Sequence, residues 1–322
     1  MTANVLVLTT YDESPFMNEQ IDALEDRGVS VRTLPVSGHV SPGESRSATD
    51  YLRFFPEVRR EVRRGDYDLV HAHYGLTAPM ALAQRKLPVV LTLWGTDLEG
   101  PGRPISKLCA PHCEEVIVMT EDMRRALGAD CTVLPFGIDL ELFSPESTSA
   151  ARERVGWAPD EHHVLFPYSP ERTVKNHPRA KRIAAAVDDR LERPVNFQVV
   201  HGVDYESVPT YMNAADALLL TSHHEGSPMS VKEAMACNLP VVSTDVGDVR
   251  ERLEGVEPSA VGTSDAELVR ALEAVLERGE RSNGREAAKR VSQERVIDRL
   301  LSIYELTADG DLGLERAPRP TA

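Results

Sequence analysis

Residues 216–250 read DALLLTSHHEGSPMSVKEAMACNLPVVSTDVGDVR, and the alternation inside this stretch decides the fold. The apolar run 217–220 is too short for a helix and suits a strand buried on both faces of a parallel sheet. A polar loop, 221–226, follows it. Ser227 is placed to cap a helix and Pro228 to open its first turn, where a missing N–H costs nothing. Asn238 suits a left-handed stop after Cys237, Pro240 blocks continuation, and 239–243 reads as the next strand. Strand, loop, helix, strand is the repeating unit of an open α/β sheet.

That unit has a chemical consequence. Anions bind in open α/β sheets where the carboxyl end of a strand meets the N-terminus of a helix. The spacing puts Gly226, Ser227, Pro228, Met229 and Ser230 around this point, with Gly226 allowing a ligand close to the backbone. Glu225 stands just before the helix, where it can accept hydrogen bonds from hydroxyls. Glu233, eight residues further on, can accept bidentate bonds from a vicinal diol such as ribose. Taken alone, the two carboxylates are equally compatible with a solvated helix.

Working outward, the first half alternates strand and helix. Strands are predicted at 5–9, 29–34, 68–71, 89–93, 115–119 and 132–134, with helices opening at Ser14-Pro15 and spanning 50–64. A second series runs through 164–168, 197–200, 217–220 and 240–243. Between them, the Ser-, Glu- and Pro-rich stretch 144–163 reads as an interdomain linker. The predicted organisation is therefore a first domain over 1–145, a linker over 146–163 and a second domain over 164–293. A C-terminal helix over 294–308 has the option of crossing back to the first domain, and 309–322 forms a tail. The dinucleotide fingerprint G-x-G-x-x-G is absent, which counts against NAD and FAD.

Composition narrows the partners. The 322 residues carry 51 acidic against 36 basic side chains, a net charge of −15, which argues against a nucleic-acid partner. Only six of the basic residues are Lys; a salt-adapted surface and a GC-rich genome both produce that bias. No run of 18 apolar residues occurs, so no transmembrane helix is expected, and the first strand begins too early for a secretory leader. Cys109, Cys113, Cys131 and Cys237 make no disulfide framework, and Cys109, His112 and Cys113 match no common zinc spacing. The helix over 50–64 carries Arg53, Arg59, Arg60, Arg63 and Arg64 beside Tyr51, Phe54 and Phe55. It reads either as a membrane-surface contact or, more commonly, as aromatics packed inward under a solvated basic face.

Residues 211–251 closely resemble the signature of retaining nucleotide-sugar glycosyltransferases of the GT-B fold, glycosyltransferase family 4. The resemblance rests on Asp216, Ser222, Glu225, Gly226, Pro228, Glu233, Ala234, Met235, Ala236, Pro240, Val241, Val242, Thr244, Asp245 and Gly247 at fixed offsets. Weaker matches are Asp68–His73, Pro88–Asp97 and Phe136-Gly137-Ile138-Asp139 with Phe143. The segment YSPERTVKN, residues 168–176, resembles the stretch that supplies an Arg and a Lys to the donor diphosphate, and maps onto Arg172 and Lys175.

The resemblance implies two Rossmann-like domains with parallel sheets facing across a cleft. It also implies a nucleotide-sugar donor, transfer with retention, and neither cofactor nor metal. In that reading Arg172, Lys175 and Glu225 are catalytic, and Gly226 to Ser230 with Glu233 bind the donor. His73, Trp94 and Asp97 line the acceptor side, where His73 or Asp97 could take the acceptor proton; a capping Asp and a satisfied His are the competing account. The acceptor would be a saccharide, a lipid-linked molecule or a small molecule. The setting would be cytoplasmic, with an option of peripheral contact at the inner face of the membrane.

Three features depart from the family pattern. Trp94 stands where many members have His, residues 11–16 lack the usual glycines, and the short interval from Lys175 to Asp216 implies a trimmed βα unit. These departures leave open a non-catalytic nucleotide-sugar-binding subunit, and a GT-B nucleotide-sugar epimerase is the alternative on the same fold.

Overall fold

The computed structural model describes residues 3–10, 15–38 and 46–308. The cap expected at Ser14, the glycine-free loop over 11–14 and the tail from 309 lie outside the described residues. The chain divides into two compact units, one comprising Met1–Gly137 with Gln293–Ala322 and the other Ile138–Ser292.

The first unit is a wound α/β layer. Its strands β1 (Ala3–Thr9) and β2 (Val29–Pro35) are joined by α1 (Pro15–Glu25), and α2 (Ala48–Arg64) leads to β3 (Leu69–His73). After α3 (Ala78–Ala83) come β4 (Val89–Leu93), α4 (Gly95–Glu99), α5 (Arg103–Cys109), β5 (Glu115–Val118), α6 (Glu121–Leu127) and β6 (Thr132–Val133). The strands form one parallel sheet in the order β2-β1-β3-β4-β5-β6. All five residues of β3 and of β4 are buried, as expected of strands covered by helices on both faces.

Helix α2 begins two residues before its predicted start because Ser47 and Asp50 form a capping box. Phe54, Val58 and Val62, four apart, face the core, whereas Leu52, Arg53, Arg59, Arg60, Arg63 and Arg64 are exposed. The aromatic face therefore packs inward beneath a basic outer face. No helix among the described residues is long and apolar enough to cross a membrane.

The second unit opens with α7 (Thr148–Val155), inside the stretch read as a linker. Ser147 caps it, and Arg152 is buried, donating to Asp216 Oδ2 at 2.7 Å and to the carbonyls of Ala214 and Pro159 at 3.0 and 2.9 Å. The polar composition that resembles a loop thus hides a partly buried ion pair, and a sequence window contains only one half of it. Next come β7 (His162–Phe166), α8 (His177–Asp188), β8 (Val195–Val199), α9 (Val208–Ala214), β9 (Ala217–Leu220) and α10 (Met229–Ala236). The unit ends with β10 (Val241–Thr244), α11 (Val249–Arg252), β11 (Ala260–Gly262), α12 (Asp265–Arg278) and α13 (Gly284–Ala288). This sheet is also parallel, in the order β11-β10-β9-β7-β8. The α/β reading, with two Rossmann-like halves, agrees with these two sheets.

The chain then returns to the first unit as α14 (Gln293–Thr307). Its inner face is Val296, Ile297, Leu300, Leu301 and Tyr304, all buried. Tyr304 reaches His71 Nδ1 at 2.6 Å, His71 Nε2 meets Thr92 Oγ1 at 2.7 Å, and Arg27 pairs with Asp298 at 2.7 Å. Together these contacts hold the helix to β3, β4 and α1.

In both sheets the winding reverses direction, between β1 and β3 and between β7 and β9. The carboxyl ends of those strand pairs are where a doubly wound sheet leaves a crevice for a ligand.

Candidate functional site

In the second unit, the two loops leaving the β7/β9 reversal are joined to each other. Thr221 Oγ1 donates to the carbonyls of Lys175 and Asn176 at 3.2 and 3.1 Å, and the His223 amide donates to the Val174 carbonyl at 2.9 Å. These bonds bring Lys175, which ends a short 3-10 turn over Thr173–Lys175, against Glu225. Lys175 Nζ lies 2.5 Å from Glu225 Oε1, and Ser222 Oγ donates to the same oxygen at 2.6 Å. The ammonium also sits 4.0 Å from the centre of the Tyr168 ring, while the Arg172 guanidinium lies 6.0 Å from that ring. Burial pulls the Lys175 pKa down, opposed by the Glu225 charge.

Arg172 and Lys175 are therefore unlike each other. Arg172 is exposed and Lys175 is buried, so they do not form a simple surface pair at a helix start. Tyr168, which sequence reasoning missed, is the organiser: its hydroxyl is bonded to Ser230 Oγ in the first turn of α10. Burial, followed by the Glu225 charge, raises its pKa well above the usual phenol value. The segment 168–176 contains it without indicating its role, because its partners lie on other elements.

The start of α10 differs from the predicted one by one residue. The helix opens at Met229 with Pro228 as an extended N-cap that makes no side-chain bond. Ser227 is not the cap: its hydroxyl donates to Asp248 Oδ2 at 2.8 Å, and the Asp248 amide donates back to the Gly226 carbonyl at 3.1 Å. The hydroxyl is turned to donate to the charged acceptor on the following loop and does not accept from a helix amide.

Gly247, with φ +54°, permits this closure. A Cβ there would stand 1.9 Å from the Gly226 oxygen. Beneath the turn, Lys232 is fully buried, with a pKa pulled down to about 8 by burial against the opposing pull of Asp248. Asn238 does adopt the left-handed stop, at φ 54°.

Glu233 lies one helical turn beyond Ser230 on α10 and is buried, accepting from Tyr205 Oη at 3.3 Å. The geometry thus groups Arg172, Lys175, Glu225, Ser230 and Glu233 around Tyr168, between a strand reversal and a helix N-terminus. The first amides of that helix lack intrahelical acceptors. Fixed cations, a helix dipole and two carboxylates in that order can bind an anion joined to polyhydroxylated groups.

In the first unit, the three residues proposed for the acceptor side are neighbours with different surroundings. Asp97 is buried and its carboxylate accepts from the amides of Gly75 at 3.0 Å and Trp94 at 2.6 Å, so it caps α4. His73, the last residue of β3, is buried and stacks near Phe136 and Trp94. Trp94 is half-buried at the entrance to α4. Among the described residues, no group of three His, Cys, Asp or Glu side chains could hold a metal ion.

Burial gives this unit a pH dependence. The imidazoles of His71 and His73 are held below 6.5, His73 at about 4, because burial penalises the cation. The contribution of His73 to stability is complete above pH 6.5 and is lost as pH falls through about 4; that of His71 is likewise complete above pH 6.5 and is lost as pH falls below it. Burial raises Asp97 to about 7; its contribution, of opposite sign, is complete below 3.8 and lost as pH rises through 7. With two imidazoles against one carboxyl, the melting temperature should fall from pH 6.5 to 4, and less steeply in His73→Gln. Equal slopes in the two proteins would contradict this account.

Comparison with known proteins gives matches across both units. The family described as glycosyl transferase 4-like domain matches residues 2–132, and glycosyl transferases group 1 matches residues 181–292. The D-inositol 3-phosphate glycosyltransferase of Geodermatophilus obscurus is 28% identical, covering 88% of this chain and 76% of its own length. The protein of the same name from Xylanimonas cellulosilytica is 27% identical over 60% of each chain.

Among solved structures, a sucrose-phosphate synthase from Thermosynechococcus elongatus superposes with a TM-score of 0.70 at 17% identity, over 94% of this chain and 98% of its own. Anabaena HepE in complex with UDP does so with a TM-score of 0.70 at 17% identity, over 95% and 100%. Those two likenesses concern the fold. The chain is a glycosyl transferase, with a glycosyl transferase 4-like first half and a group 1 second half on the two-sheet GT-B fold.

Proposed function

We propose that this enzyme moves a sugar from a nucleoside diphosphate sugar, held on the second unit, to an acceptor hydroxyl with retention of configuration and without a metal. The observation that carries this reading is the Lys175–Glu225 pair under Tyr168, beside the start of α10. Breaking the bond between the anomeric carbon and the phosphate oxygen leaves negative charge on the diphosphate. Lys175, Arg172 and the helix-terminal amides stabilise that charge where it develops. The acceptor oxygen forms the new bond to the anomeric carbon, and its proton leaves with the phosphate or a nearby base.

The pair also gives a sequence of events. Without donor, Glu225 neutralises Lys175. An arriving diphosphate competes for the ammonium and frees Glu225 to accept hydroxyls of the sugar, while Glu233 takes the ribose. Gly226, Ser227, Pro228, Met229 and Ser230 form the turn against which the phosphates lie. The expected setting is the cytoplasm. The exposed arginines of α2, flanked by Leu52 at 65% exposure, are the surface that would meet anionic lipid headgroups.

Release of free nucleoside diphosphate tests the reading. A panel of UDP- and GDP-sugars is first screened by melting temperature, since a ligand at 100 times its Kd adds ~2.7 kcal/mol. The stabilising donor is then incubated with enzyme and candidate acceptors, and free nucleotide is expected to accumulate. Binding without release would instead identify a nucleotide-sugar-binding subunit, and an altered sugar still joined to its nucleotide would identify an epimerase.

A further inference from the structure

Ser227 is followed by Pro228, a pairing that favours a cap at the serine and a first helical turn at the proline. The structure nevertheless opens α10 one residue later, and no side chain caps it. Asp248, on the loop between β10 and α11, accounts for the difference. Its Oδ2 holds the Ser227 hydroxyl at 2.8 Å, and its amide donates to the Gly226 carbonyl at 3.1 Å. Thr244 Oγ1 ties the same two loops together, donating to the Ser222 carbonyl at 2.9 Å. Gly247 admits the contact, since a Cβ there would also stand 2.9 Å from the Glu225 carbonyl oxygen.

Asp248 is an unusual residue for a simple loop closure. Its side chain is 1% exposed, and Oδ2 also accepts from Arg252 Nε, on α11, at 2.8 Å. The second oxygen, Oδ1, is buried and has no hydrogen-bond partner among the described residues. A buried carboxylate with one oxygen unbonded costs stability. An uncharged acceptor would join the two loops without that cost. Arg252 and the fully buried Lys232, which feels the charges of Asp248 and Glu233, offset the burial.

We infer that Asp248 is a positioning residue that holds the Ser227 hydroxyl away from α10, so that the first amides of the helix stay available to the donor phosphates. The inference rests on the donor reading above. Asp248 acts through Ser227 and touches no ligand itself. Once released, the hydroxyl turns back to accept from the amide of Met229 or Ser230, the two positions that a cap at Ser227 bonds. A phosphate then has to displace it, and affinity falls by the worth of a serine cap, roughly fivefold.

A double-mutant cycle on Asp248 and Ser227 tests this, read by calorimetry with UDP, GDP and inorganic pyrophosphate. Asp248→Ala should weaken the probes that bind by roughly five- to tenfold. Asp248→Asn keeps an acceptor for the hydroxyl and should stay within about twofold of the parent. Ser227→Ala, added to Asp248→Ala, should raise affinity again by roughly fivefold, because the competing cap is gone. In the parent the same substitution has no cap to remove and should bring no gain. Adding Ser227→Ala to Asp248→Ala should at the same time lower the melting temperature, because the helix loses its cap. Affinity and stability thus move in opposite directions, which a purely structural carboxylate would not produce.

If Asp248→Ala does not fold, Asp248→Ala with Lys232→Met removes both buried charges, and the same comparison is made in it with and without Ser227→Ala. Full affinity without the carboxylate, or no recovery on adding Ser227→Ala, overturns the positioning role and leaves the donor reading standing. Binding of pyrophosphate without either nucleotide overturns the donor reading, and the cycle on pyrophosphate then decides the role of Asp248. A parent protein that binds none of the three overturns both.

Discussion

Arg172→Ala and Lys175→Met should each lower kcat by ~10²–10³, the loss seen when one preorganised group facing a developing oxyanion is removed. Their stabilities should differ. Arg172 is exposed and has no ion pair among the described residues, so Arg172→Ala should leave stability within about 0.5 kcal/mol. Lys175 is buried and paired with Glu225. Its replacement leaves the half-buried Glu225 carboxylate without its cation, a loss that reaches ~3–5 kcal/mol for fully buried pairs and is smaller here.

Methionine is chosen over alanine to keep contact with the Tyr168 ring and limit the cavity. A slow but fully stable Arg172→Ala would show that the cation acts on chemistry and not on folding. Full turnover by both variants would contradict the mechanism. So would complete inhibition by EDTA that added Mn²⁺ reverses.

Glu233→Gln and Glu225→Gln should separate nucleotide binding from sugar transfer. Glu233→Gln should weaken the nucleoside diphosphate by ~1–3 kcal/mol, the scale of a charge-assisted hydrogen bond. Glu225→Gln should abolish transfer, yet leave affinity for the bare nucleoside diphosphate within about threefold, less than ~1 kcal/mol. Position is the motive. Glu225 ends the loop beside Lys175, whereas Glu233 lies further along α10 against Tyr205, so the sugar falls nearer the first and the ribose nearer the second.

Glutamine is preferred to alanine at Glu225 because it still accepts from Lys175 and Ser222. An alanine would confound the measurement by leaving the Lys175 charge buried and unpaired. Calorimetry with the nucleoside diphosphate and with the intact nucleotide sugar, on both variants, decides the matter. If Glu225→Gln loses the bare nucleotide as severely as Glu233→Gln, the two roles are wrongly assigned.

Much of the fold is legible along the chain because buried parallel strands are short apolar runs. Residues 89–93 and 217–220 are observed as strands at their predicted limits. The amphipathic face of the C-terminal helix, with Val296, Leu300 and Tyr304, is likewise visible in its spacing. The short helices α3, α4 and α6 went unread, since five to seven residues carry too little periodicity. Helix α7 went unread for another reason: Ser, Glu and Arg in a loop-like stretch look solvated until Asp216, 64 residues away, is known to face Arg152.

By itself, the sequence determined the two series of strands, the α/β class, the family, and the carboxylates and cations worth testing. Such information is local or carried by fixed offsets. Only the tertiary structure decided which groups meet: Lys175 with Glu225 across 50 residues, Tyr168 with Ser230 across 62, and Ser227 with Asp248 in place of its own helix. It alone decided that Asp97 caps α4, and that His73, Trp94 and Phe136 pack together from three segments. The physical reason is that sheet order sets which loops are neighbours, and that order follows from the packing of every strand and helix together.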